Sequence, residues 1–244
     1  MATPVSLLNG LDLESANAGL EGASLDSLLE WSLDTFGDKV VQVTSFGPSG
    51  MVILDHLARV RPGARVITID THFLFAESYE LRAEIERRYD VQLDVRSTVV
   101  TPAQQEHLYG ARLWELEPDV CCHLRKVAPL DDALAGLSAW ISGIRRDQSP
   151  ARAHAALVEW DDRHEMLKLN LLAAWTRSHV WNYIHTHQIP YNRLHDEGYA
   201  SIGCVHCTRP ALAVEDERTG RWRGRVKTEC GLHLSRRPVS RCLD

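Results

Sequence analysis

The chain has 244 residues, 44% of them hydrophobic, and a formal net charge of −6, which is enough length to bury a full core in one large α/β domain or two small ones. No stretch reaches roughly 18 uninterrupted apolar residues and no basic-then-apolar leader opens the chain, so no membrane partner or export is expected and the cytoplasm is the default address. The acidic balance argues against a nucleic acid as partner, and six cysteines, clustered rather than spread, do not make a disulfide framework.

Residues 1–23 are poor in aromatics, rich in Ala, Gly, Ser and Asn, and read as a flexible N-terminal extension. From Ser24, a candidate cap, the spacing of Leu25, Leu28, Leu29 and Phe36 fits one helix face. The β-branched run Val40, Val41, Val43 reads as the first core strand. It leads through Ser45-Phe46-Gly47-Pro48-Ser49-Gly50 into a segment of helical character from Val52 to Leu57. A strand, a Gly/Ser loop and a helix N-terminus make an anion-binding corner, although the Gly-Lys-Ser/Thr ending of a Walker A loop is absent. Strand, helix and strand then recur over residues 65–70, 76–89 and 91–95, which predicts a mostly parallel α/β sheet flanked by helices. Asp70 and Thr71 fall at a strand end, where such sheets hold ligands and where helix caps and turns also fall. Residues 101–118 read as a helical linker, Leu130 to Leu137 as an apolar helix, and Trp140 to Gly143 as a strand running into Arg145-Arg146-Asp147. Tandem arginines there suit oxyanion recognition, with Asp147 able to neutralise one of them. Residues 157–160 and 166–170 are short strand candidates, and 175–188 a helix. The scattered histidines read as surface or packing residues.

Four cysteines form two doublets, Cys121-Cys122 and Cys204-x-x-Cys207. Four thiolates gathered by a fold suit an iron–sulfur cluster or a structural zinc, and redox thiols are the third reading. The vicinal pair favours the cluster, because it leaves no residue between its ligands and calls for an acceptor with an extended edge. Between Arg209 and Lys227, the basic residues Arg209, Arg218, Arg221, Arg223, Arg225 and Lys227 outnumber Glu215, Asp216 and Glu217. This pattern suggests a small anionic ligand. Beyond it, Cys230 stands among Arg223, Arg225, Lys227 and His233, surroundings that favour a thiolate nucleophile. Cys242 reads as an incidental thiol rather than a resolving partner for Cys230.

Four motifs carry a family resemblance: Cys121 to Leu130, Trp140 to Ser149, Ile189 to Arg209, and Lys227 to His233. In this order they resemble the assimilatory adenylyl-sulfate (APS) and phosphoadenylyl-sulfate (PAPS) reductases over roughly residues 38 to 235, and the cluster-bearing APS type in particular. The resemblance implies a Rossmann-like, adenine nucleotide alpha hydrolase-like fold over residues 24–209. It also implies an Arg-rich segment with a mobile C-terminal catalytic tail over 210–244. The loop at Ser45 looks like the S-x-G-x-x-S type, with Gly50 where the sixth position is often Ser. The resemblance makes Cys121, Cys122, Cys204 and Cys207 ligands of one 4Fe-4S cluster. Ser45, Phe46, Gly47, Asp70, Lys126, Arg145, Arg209, Arg218, Arg221 and His233 become substrate-binding residues, and Cys230 becomes the nucleophile.

The implied reaction is attack of Cys230 on the sulfur of APS to give an S-sulfonate and AMP, then release of sulfite by thioredoxin or glutaredoxin. The cluster doublets point to APS, while the absence of acidic residues at Ser45 to Ser49 leaves PAPS as the alternative donor. A zinc-stapled nucleotide-binding module and a PP-loop tRNA-thiolating enzyme are the rival classes. The oligomeric state is left open, a homo-oligomer included.

Overall fold

The computed structural model describes residues 12–211, 218, 220–222, 227 and 229–233. Six strands form one sheet in the order β3-β2-β1-β4-β6-β5. The strands are β1 (Val40–Val43), β2 (Ala64–Asp70), β3 (Val91–Ser97), β4 (Ala139–Ile141), β5 (Val158–Asp161) and β6 (Met166–Leu169). All neighbours pair parallel except β5 with β6, a hairpin edge. A βα alternation forces this arrangement, since parallel neighbours need helical crossovers and the short 161–166 turn permits only an antiparallel return.

Helices cover the sheet: α1 (Leu13–Leu20), α2 (Leu25–Phe36), α3 (Pro48–Val60), α4 (Ala76–Arg88), α5 (Pro102–Tyr109), α6 (Leu113–Leu116), α7 (Pro118–Cys122), α8 (Ala128–Leu134) and α9 (Arg177–His187). One core is built from Leu25, Leu28 and Leu29 of α2, the apolar run Met51 to Leu54 of α3, Val66, Leu167 and Val180. A second lies on the other sheet face, where Val41, Ile67 and Trp140 meet Leu130 and Leu134. Strand residues therefore bury both sides, as a doubly covered parallel sheet requires.

The expected elements are present, with one correction. Ser24 caps α2 by accepting from the Ser27 N–H, as its sequence suggests. The stretch read as a loose extension, however, contains α1, capped by Asp12. Its Asn17 accepts from Val158 N at 3.0 Å and donates to Val158 O at 2.8 Å. A side-chain amide thus pairs with the β5 backbone, a contact that no local periodicity reveals. Residues 1–11 and Cys242 lie outside the described residues.

A buried polar group fixes the base of the second core. Trp140 Nε1 donates to Asp161 Oδ2 at 3.0 Å, and His164 bridges Asp161 at 2.6 Å and Asp131 at 3.0 Å. Arg163 adds a fork to Asp131. Burial alone would raise both carboxyls, but hydrogen bonds from Arg163, His164 and Trp140 hold them below the ordinary 3.8. Burial would lower His164, yet its two carboxylate partners raise it above the ordinary 6.5. The carboxylates therefore contribute stability at neutral pH that is lost as pH falls through their depressed values. The imidazolium contributes fully below 6.5 and loses that contribution as pH rises through its raised value. Replacing His164 by Asn should remove the second dependence. Thermal unfolding followed from about pH 6 to about pH 9 is expected to show a decline in Tm for the wild type that is flatter in His164→Asn.

Candidate active site

The strand ends carrying Thr44, Thr71 and Ser142 open onto one cleft. On one side, β1 passes into α3 through Phe46, a buried non-glycine residue in the left-handed region (φ 57°). The turn is held by Thr44 Oγ1, which accepts from Phe46 N at 2.9 Å, and by Gln42, whose amide donates to Gly50 O at 2.7 Å. Pro48 at the first turn of α3 needs no partner for its missing N–H. The helix N-terminus consequently borders the cleft, with its partial positive charge available to an anion. Gly50 explains the departure from the S-x-G-x-x-S pattern, because a Cβ there would overlap Thr44 Oγ1. A Cβ at Gly143 would likewise come within 3.3 Å of Ser49 and Gly50, so α3 approaches the end of β4 at a distance that suits glycine.

Opposite this corner, α7 runs into a π turn, His123–Val127, closed by the Ala128 N–H on His123 O. Such turns re-aim consecutive side chains, and here Cys121, Cys122, Arg125 and Lys126 are all buried. The second doublet arrives by backbone pairing: Val205 N donates to Phe73 O at 2.8 Å, and Leu74 bridges Cys204. The four cysteines then line one pocket with Phe73, Trp114, Arg125, Lys126 and His206. Trp114 stacks on His206 at 3.8 Å and covers it, so the helical linker is also a wall of this pocket. None of the four is in a disulfide. Among the described residues, no group of three or more His, Cys, Asp or Glu side chains is arranged to hold a metal ion.

The chemistry of this donor set nevertheless fits a polynuclear cationic group. Burial, then the neighbouring sulfurs, pushes Cys121 up to about 12, and burial pushes Cys122 up to about 11. Without strong positive charge between them, these sulfurs stay protonated. Arg125, 1% exposed, donates to Gln105 and to Thr71 O and stacks over Phe73, while its buried Nη2 has no hydrogen-bond partner among the described residues. Thr71 Oγ1 accepts from Cys204 Sγ at 3.4 Å.

The third wall is the C-terminal segment. Thr208 bridges Arg221, Arg209 N donates to Gly220 O, and Trp222 N donates to Cys207 O. This pairing lays Arg221 against the backbone of Gly203, where a Cβ would overlap the guanidinium. Arg221 is buried, and its Nε and Nη2 have no hydrogen-bond partner among the described residues. Ser45, Gly47, Lys126, Arg145, Arg218, Arg221, Cys230 and His233 all line the main cleft. Phe46 and Asp70 line a smaller adjoining slot, together with Ser45 and Gly47. Asp70 also accepts from His72 N, Tyr79 and Arg82, so it serves as turn residue and slot wall at once.

One arginine departs from its expectation, and for the tandem pair the neutralising role open to Asp147 is realised. Arg209 is exposed and donates to Val205 O and Thr208 O rather than entering the cleft; the strand-like pairing of residues 208–209 turns it outward. Arg145 is 2% exposed, ion-paired with Asp147 at 2.8 Å, and donates to Ser49 Oγ at 2.6 Å. Arg223 and Arg225 lie outside the described residues. Sequence reasoning missed Arg152 and His195. Arg152 lines the main cleft, and His195 lines both cavities with Nδ1 on Tyr199 O at 2.7 Å.

At the centre, Cys230 is half-buried. Burial would raise its thiol, but Lys126, the Leu232 N–H, Arg221 and Arg218 together bring it below the ordinary value. His233 stacks on Trp140 with ring centres 5.6 Å apart and planes at 9°. Burial and the cations Lys168, Arg152 and Arg218 hold it well below its ordinary value, hence neutral.

Fold and cleft together define a nucleotide-binding α/β protein with an activated thiol at an anion site. Residues 39–210 match the phosphoadenosine phosphosulfate reductase domain, and the chain belongs to that family. The adenosine 5'-phosphosulfate reductase of Halalkalibacterium halodurans is 47% identical over 91% of this chain and 97% of its own. Adenosine 5'-phosphosulfate reductase 2 of Bacillus subtilis is 45% identical over 84% and 88%. The solved phosphoadenylyl-sulfate reductase of Candida auris superposes with a TM-score of 0.71 at 31% identity, over 81% of this chain and 96% of that one. FMN adenylyltransferase of Candida glabrata, at 16% identity over 85% of this chain and 71% of its own, shares the fold with a TM-score of 0.55.

Gly50→Ala should displace the Thr44 hydroxyl, reduce stability by about 1–3 kcal/mol and weaken AMP binding. Adding Thr44→Ala should recover part of the stability loss. Denaturant unfolding and calorimetric titration of the two variants check both effects.

Proposed function

We propose that the chain reduces APS to sulfite and AMP in sulfate assimilation, with Cys230 as nucleophile and a dithiol protein of the thioredoxin or glutaredoxin type as reductant. The observation that carries this reading is the half-buried Cys230 thiol, lowered by Lys126, Arg221 and Arg218 in the same cleft as the α3 N-terminus. The relatives at 45% and 47% identity bear the APS reductase name, which favours APS over PAPS.

In the first step the Cys230 thiolate attacks the sulfur of the phosphosulfate. The bond from sulfur to the bridging oxygen breaks, and AMP leaves with that electron pair. Arg145, Arg221 and Lys126 offset the charge gathering on the leaving phosphate. In the second step a thiolate of the dithiol attacks Cys230 Sγ, and sulfite departs with the pair from the sulfur–sulfur bond. The second thiol then closes the reductant's disulfide and returns Cys230 as thiolate. Two electrons thus pass from the dithiol to sulfur.

Cys121, Cys122, Cys204 and Cys207 would hold one 4Fe-4S cluster, supported by their shared pocket and the unpartnered Arg125 Nη2. When bound, the cluster supplies a fixed local charge beside the cleft. Lys126 is buried and lines both the cysteine pocket and the main cleft, so its ammonium links the two sites.

Incubation with APS and dithiol should give sulfite and AMP, and Cys230→Ser should abolish it. The value of kcat/KM should be higher for APS than for PAPS; equal or greater efficiency with PAPS would reverse the donor assignment. Anaerobically purified protein is expected to absorb near 400 nm and carry about four irons per chain, both lost in Cys204→Ser. Stoichiometric zinc in colourless protein would instead establish a zinc site.

A further inference from the structure

The Cys230 loop is held from both sides by groups to which the reaction above gives no task. On one side, Arg152 in the short turn Pro150–Arg152 donates Nε and Nη2 to Glu229 Oε1 and Oε2 at 2.9 and 3.0 Å. The two side chains are 10% and 11% exposed. This is the parallel fork that a guanidinium forms and an ammonium cannot. The remaining Nη1 donates to Gln148 Oε1 at 2.6 Å. Gln148 in turn accepts from Arg145 N and donates to Gly143 O, so the fork is braced by the loop that carries Arg145. Arg218 joins Glu229 at 3.2 Å. On the other side, His233 lies flat on Trp140, whose ring is pinned by Asp161. Between these holds, Gly231 adopts φ 91°, and a Cβ there would come 3.3 Å from Val127.

Glu229 immediately precedes Cys230, so a carboxylate fixed at both oxygens sets the direction in which the next side chain leaves the backbone. We propose that Arg152 is a positioning residue that acts through Glu229 to seat the Cys230 thiol beside Lys126 and Arg221. The inference rests on Cys230 being the nucleophile. It adds that the orientation of the nucleophile is fixed by an ion pair at the wall of the cleft rather than by the contacts offered to the phosphosulfate. Attack on APS needs the seated loop, whereas attack by an external dithiol on the sulfonated Cys230 does not. Loss of the fork therefore slows the first step selectively.

The test uses the full chain with Arg152→Gln, Glu229→Gln, the double variant, and the exchanged pair Arg152→Glu with Glu229→Arg. Labelling of Cys230 by iodoacetamide, read by peptide mass mapping, requires no turnover. Each single variant should label about tenfold faster than wild type, as expected from losing a buried charge-assisted fork. The double variant should be no faster than the singles, and the exchanged pair should regain part of the protection. In single turnover with APS, adduct formation on Cys230 should slow by about tenfold to a hundredfold. Sulfite release from the preformed adduct by dithiothreitol should stay within about twofold. Unchanged labelling in both single variants would overturn the proposal. So would a further slowing of adduct formation by Arg152→Gln in the Glu229→Gln background, which would place Arg152 on the substrate itself. Absence of any adduct on wild-type Cys230 would remove the nucleophile reading, while the labelling rates still judge the fork.

Discussion

The structure depends on a concentration of positive charge that water cannot solvate. Arg125, Lys126, Arg145 and Arg221 are all buried around the carboxyl ends of β1, β2 and β4. Burying a cation without a counter-charge costs several kcal/mol, on the order of the net stability of a domain. Asp147 offsets Arg145, and Glu229 offsets Arg152 and Arg218. Arg221 keeps two buried N–H groups with no acceptor among the described residues. The lowered thiol of Cys230 is a product of the same field.

The fold puts that field in one place by topology. β1 has β2 on one side and β4 on the other, so the chain leaves it once in each direction and a crevice opens where the connections part. Three independent devices then converge there. The glycine contact of residues 50 and 143 brings the α3 N-terminus close, the π turn presents sulfur and cation from one short stretch, and the pairing of residues 208 and 221 returns the C-terminal arginines. None is a separate domain, and each uses backbone geometry to place charge.

Much of this was legible in the sequence because the signals were local. Val40 to Val43 and the Ser24 cap declare their elements through β-branching and hydrogen-bonding chemistry, and the cysteine doublets and the Arg-rich tail advertise reactive groups by composition. What stayed hidden depends on contacts distant in sequence. Arg152 looks like a surface cation until Glu229, far along the chain, closes on it. Arg209 looks like one of a basic set until its neighbours' pairing turns it outward. The helix at residues 13–20 offers the core only Leu13 and Leu20, and the contact that fixes its Asn17 lies far off in sequence at Val158. The Gly50 departure also becomes intelligible only when Thr44 is seen to occupy the space.

That asparagine has a wider consequence. β5 is the last strand of the sheet, and its outer backbone groups would otherwise be open to any extended chain. By supplying one acceptor and one donor to Val158, Asn17 imitates a single residue of a seventh strand and closes the ladder without extending it. The N-terminal helix thereby satisfies the backbone of Val158 on the open edge of the sheet with a side chain that cannot itself be extended by another strand.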